Sequence, residues 1–106
     1  MPDRTYLVAF DPASPSFDAE EIRTFIRDGG AFSGWWNHIP FVYLVRSDLN
    51  ADGVSEMIMP HAKGARFLVM EVIPSNSDGW LKRKSWSWIR ETSASVNVSS
   101  ETETDS

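Results

Sequence analysis

Residues 31–46, AFSGWWNHIPFVYLVR, decide the reading of this chain. Two runs rich in aromatic and β-branched residues flank Asn37, His38 and Pro40, a pattern that predicts two antiparallel strands, near 31–37 and 40–46, joined by a tight connection. Working backwards, residues 18–28 carry Ala19, Ile22, Phe25 and Ile26 on one helical face, with Asp18, Glu20 and Glu21 at the start and Arg23 and Arg27 later. Asp18 followed three residues on by Glu21 has the form of a capping box, and Gly29-Gly30 supplies the stop. Before that helix, residues 5–11, TYLVAFD, form an apolar run that closes on Asp11-Pro12, as a buried strand meeting a loop does.

Working forwards, Asn50 is placed to cap a second helix over 50–60, with Val54, Met57, Ile58 and His61 at i, i+3, i+4 and i+7 and Pro60 expected to end or kink it. Residues 65–73, ARFLVMEVI, then read as a strand closed by Pro74. Strand, helix, strand, strand, helix, strand gives two right-handed crossover halves, which is the α+β ferredoxin-like βαββαβ sandwich with both helices on one face of the sheet. The other face then lacks a cover, so either the C-terminal extension or a second copy of the chain is expected there. That extension, DGWLKRKSWSWIRE over 78–91, fits a helical turn at 79–84, whereas the alternation of Trp86 and Trp88 with serines fits a strand. Residues 1–91 thus read as one domain. Residues 92–106, rich in Ser, Thr, Glu and Asp with only Ala94, Val96 and Val98 apolar, read as a disordered acidic tail.

A chain of 106 residues, 42% of them hydrophobic, has room for one core. Its thirteen aromatics, five of them Trp, can supply either a core or a binding face. The absence of cysteine excludes disulfides, thiolate metal sites and cysteine nucleophiles, and His38 and His61 are the only imidazoles. No apolar stretch approaches a membrane span and the N-terminal residues lack a signal-peptide h-region, so the expected location is cytoplasmic. The formal charge is −5, of which Glu101, Glu103 and Asp105 in the tail carry three, so the expected folded part is nearly neutral.

The combination of YLVAFD, GWWNHIPFVYLV and FLVMEV followed by GWL resembles the small bacterial SinR-like proteins and, more distantly, the ferredoxin-like nuclease subunit of the CRISPR spacer-acquisition complex. The resemblance covers roughly residues 5–81 and rests on aromatic pattern and element order. It implies a ferredoxin-like homodimer and, in the CRISPR group, a metal-binding Asp at the end of the first strand near the twofold, matched here by Asp11. In this chain Asp11 is followed by Pro12-Ala13-Ser14-Pro15, without the polar and basic residues common after that Asp.

Two constellations could carry chemistry. Under a nuclease reading, Asp11 would be the catalytic residue and the ligand of Mg or Mn, which would activate water for phosphodiester hydrolysis. A strand-terminal Asp before Pro is more often a turn former, and otherwise no cofactor is expected. The second is the basic-aromatic cluster Trp80, Lys82, Arg83, Lys84, Trp86, Trp88 and Arg90. Cations interleaved with flat rings suit single-stranded nucleic acid. The competing reading makes the Trp rings a cover for the sheet, with the Lys and Arg stems snorkelling beside them. No metal-ligand histidine spacing, phosphate loop or nucleophile elbow is present. The sequence therefore favours a non-catalytic, homodimerising binding or regulatory module with a protein or nucleic-acid partner, over the Asp11 nuclease.

Overall fold

A computed structural model describes residues 3–81, 83–90 and 98–99. The elements run β1 (Arg4–Phe10), α1 (Ala19–Asp28), β2 (Gly34–Ile39), β3 (Val42–Ser47), α2 (Ala51–Ala62), β4 (Phe67–Val72), α3 (Arg83–Arg90) and β5 (Val98–Ser99). The fold is α+β, with strand order β4-β1-β3-β2-β5. The β4-β1, β1-β3 and β3-β2 pairings are antiparallel, and β5, two residues from the stretch expected to be tail, lies parallel to β2.

Strand alternation divides the side chains between two layers. Tyr6, Val8 and Phe10 of β1 and Tyr43 and Val45 of β3 face α1 and α2, where they meet Ile22, Ile26, Val54 and Ile58 in the main core. Asp18 caps α1 by accepting from the Glu20 and Glu21 N–H groups, and Asn50 caps α2 by accepting from Gly53 N–H. Gly29 caps the end of α1 with its N–H donating to the Phe25 carbonyl at 3.0 Å, where a Cβ would meet that oxygen at 2.5 Å. Pro60 does not stop α2, which continues to Ala62. The carbonyl that loses its donor to the proline belongs to exposed Glu56, while Val54, Ile58 and Ala62 hold the buried side down to the last turn. The hairpin between β2 and β3 turns on Pro40 and Phe41, so Pro40 belongs to the turn rather than to the second strand. Phe41 takes φ 67°, which with proline before it is the arrangement of a type II turn. Phe41 is held there by its carbonyl, which accepts from Phe10 N at 2.9 Å, and by an edge contact with Phe17.

On the opposite face, α3 packs Trp88 and Ile89 against Trp36 and Leu44. The helix therefore begins where a turn at 79–84 was expected to end, and its buried positions Ser85, Trp88 and Ile89 are spaced i, i+3, i+4. Arg46 fixes it. This side chain is only 4% exposed, its guanidinium carbon sits 3.9 Å from the centre of the Trp88 ring, and Nη2 donates to the Trp88 carbonyl at 2.5 Å. That carbonyl is among the last four of α3, which have no donor within the helix, so a cation there satisfies an open acceptor and the negative end of the helix dipole together.

Replacing Trp88 with Ala should lower unfolding free energy by roughly 3–5 kcal/mol. Arg46→Met, which keeps much of the stem but frees the carbonyl, should cost about 1–3 kcal/mol. Urea unfolding followed by far-ultraviolet circular dichroism measures both. Midpoints unchanged from wild type would show that α3 does not hold the second layer.

Candidate interaction face

Sheet register places Leu7, Ala9 and Val42 on the α3 side, with Leu68 opposite Ala9 and Met70 opposite Leu7. The layer under α3 takes in Trp36 of β2 and Leu44 of β3, with Leu7 of β1 and Val72 of β4 at its edge. What α3 leaves bare is an apolar strip along β4 and β1, in which Leu68 is 50% and Met70 53% exposed. Ile39 and Phe41, at the hairpin, are also exposed. Where the strip runs towards α3 through Val72, a pocket of about 470 Å³ opens between the sheet, the 73–78 loop and the helix. Its apolar wall includes Leu7, Leu44, Leu81, Trp86 and Ile89, and Asn76, Ser77 and Asp78 stand on its loop side.

The basic-aromatic cluster does not form one surface. Trp88 is core, and Trp86 is half-buried in the pocket wall with Gly79 against its ring. Trp80 is 100% exposed, and Arg83 and Lys84 are exposed on the first turn of α3. Lys82 lies outside the described residues, as does the side chain of Arg90.

Asp11 ends β1 in a turn. Its Oδ1 accepts from Ala13 N at 2.9 Å, and its Oδ2 accepts from Arg66 Nε at 3.0 Å and Nη2 at 2.8 Å. The chain is further pinned by Asp11 N donating to the Arg66 carbonyl and Arg66 N donating to Ser14 Oγ. The Ala13 N–H, then the Arg66 guanidinium, hold the Asp11 carboxyl below its ordinary range. Among the described residues, no three His, Cys, Asp or Glu side chains converge as a metal site would require.

His61 lies between the two core helices. Its ring stacks on Phe25 with centres 4.0 Å apart, and Nδ1 is 2.9 Å from Glu21 Oε2. Glu21 therefore spans to α2 instead of reaching back to close a capping box, and Lys63 Nζ stands 3.4 Å from its other oxygen. The His61 hydrogen bond, then the Lys63 charge, lower the Glu21 pKa. The side chain of His38 lies outside the described residues.

No family model matches the chain, and neither the curated proteins nor the solved structures contain a match. No helix among the described residues is long and apolar enough to cross a membrane.

Asp11 and Glu21 both have folded-state pKa values below their ordinary ones, so each contributes stability that is present above the unfolded value and lost as pH falls through the folded one. The Asp11→Asn, Glu21→Gln double variant should be less stable than wild type at neutral pH. The two melting temperatures should converge as pH falls below about 4, the ordinary carboxylate range. Parallel pH profiles would show that neither contact is linked to folding.

Proposed function

We propose that this chain is a small cytoplasmic, ferredoxin-like module without catalytic activity, which acts by binding and pairs with a second copy of itself through the uncovered half of its sheet. The order β4-β1-β3-β2, with both crossover helices on one face, supports the ferredoxin-like reading, the fold that resemblance to the SinR-like and CRISPR groups implies. The observation that carries the functional reading is the apolar strip of Leu7, Ala9, Leu68 and Met70. Contiguous exposed apolar surface on a sheet marks an interaction site.

A second copy suits that strip. Such a surface can meet its own image about a twofold axis without unmatched charge, because the strip is uncharged. Burying it would also remove the half-exposed side chains of Leu68 and Met70 from water.

The alternative, a divalent-metal nuclease built on Asp11, is less well supported. Both carboxylate oxygens of Asp11 accept hydrogen bonds that shape its own turn and tie it to Arg66. Of the described members of the cluster, Trp80, Arg83 and Lys84 are left for a nucleic-acid partner, since Trp86 and Trp88 are committed to packing.

Met70→Lys places a charge at the centre of the strip on a side chain already half in solvent, so the fold should survive. Sedimentation velocity should show the wild type as a dimer and the variant as a monomer, with melting temperature shifted by only a few degrees. A variant that stays dimeric would reject the sheet face as the interface. Salt-dependent binding of a single-stranded oligonucleotide, abolished by Arg83→Ala with Lys84→Ala, would point to the nucleic-acid partner instead.

A further inference from the structure

A knob and a hole lie side by side on this molecule. Trp80 is 100% exposed, the largest side chain the chain could present to water. Its exposure is built into the backbone: Gly79 adopts φ 149°, a conformation that side-chain-bearing residues rarely adopt, and beyond it Leu81 lines the pocket while Trp80 projects outward. The pocket beside it, about 470 Å³, is of a size that binds small ligands or a large side chain, and its floor of Leu7, Leu44 and Ile89 is apolar.

We propose that Trp80 of one copy seats in this pocket of a second copy, and the partner's Trp80 in the pocket of the first. The proposal rests on the pairing proposed above and names its anchor. Asp78 and Leu81, on either side of Trp80 in sequence, both line the pocket, so knob and hole are close enough to exchange about a single twofold axis. The pocket is continuous with the exposed strip, because Val72 belongs to its wall and pairs across to Thr5, one step along β4 from Met70 opposite Leu7. Charge favours the same arrangement. Asp78 lines the pocket on its loop side, and Arg83 and Lys84 follow Trp80 on the first turn of α3, so each seated indole brings cations towards the other copy's carboxylate. Indole is also the ring most enriched among residues that dominate interface energetics, since it desolvates a large area at a small cost in rotamer freedom.

The test uses two variants that leave the folded core intact. Trp80→Ala removes the knob, and Ile73→Arg, at an exposed residue on the pocket wall, blocks the hole. Sedimentation velocity over a concentration series should show each variant dimerising on the order of 1000-fold more weakly than wild type, since each substitution removes both symmetric contacts and truncating one hot-spot aromatic typically costs about 30-fold. An equimolar mixture should regain part of the affinity, because the intact Trp80 of Ile73→Arg can enter the intact pocket of Trp80→Ala. Far-ultraviolet circular dichroism and melting temperature should match wild type throughout. Wild-type affinity in Trp80→Ala would overturn the exchange while leaving the sheet-face dimer in place, and weakening in both variants without recovery on mixing would overturn it too. A wild type that stays monomeric throughout the series would remove the pairing itself.

Discussion

Arg46 carries a positive charge into a site that is almost closed to water, and the second layer of this protein is arranged around that charge. A buried guanidinium is costly unless its donors and its charge are answered locally. Here the Trp88 ring lies against it and the Trp88 carbonyl accepts from it, so α3 contributes to both answers. The benefit is mutual, since the helix has an unsatisfied C-terminal carbonyl and a negative dipole end to offer. Arg46 thereby fixes where on the sheet α3 can sit: over β3 and β2, with Trp36 and Leu44 beneath it.

Helix length then decides what remains uncovered. Eight residues rise about 12 Å and a helix is roughly 10 Å wide, whereas four strands at about 4.8 Å spacing present a broader face. A helix tethered to β3 reaches β4 only at Val72, which is why Leu68 and Met70 are half in solvent although their strand neighbours Phe67 and Val69 pack into the main core.

The main layer was largely legible in the sequence because its signals are local and periodic. The hairpin at 31–46, the Ile22, Phe25, Ile26 face, the Asp18 and Asn50 caps and the apolar run before Pro74 each point to one element, with ends displaced by a residue or more. The extension was ambiguous because Ser85, a small polar residue, occupies one of the three buried positions of α3. With serine there, the Trp86–Trp88 alternation is as visible as the helical period. That α3 would have a partner on the open sheet face could be anticipated. Which half it covers depends on Arg46, which in sequence is only the charged end of a strand. Of the two readings of the basic-aromatic cluster, the cover for the sheet is the one that Trp86 and Trp88 fit, and the single binding surface rested only on closeness in sequence. On a helix, residues 86 and 88 are about 200° apart, and here Trp88 enters the buried cluster while Trp86 packs at its edge in the pocket wall. Nor could the ties of Asp11 to Arg66 and of Glu21 to His61 be read in advance, because they join residues 55 and 40 positions apart.

The two layers also differ in how firmly they are held. Among the described residues, eleven buried side chains from five elements and Phe32 from the loop before β2 form the core beneath α1 and α2, whereas the layer beneath α3 has four: Trp36, Leu44, Trp88 and Ile89. Local opening draws on the segments with the fewest buried apolar contacts, and of the three helices α3 has the fewest buried apolar partners among the described residues. The pocket has α3 as one wall and exists only while that helix is docked. Anything that fills the pocket therefore binds the docked state alone, and stabilises α3 in proportion to its own affinity and concentration. Binding at this face and order in the C-terminal helix are consequently one equilibrium, set at one end by the Arg46–Trp88 contact and at the other by whatever occupies the apolar wall beside Met70.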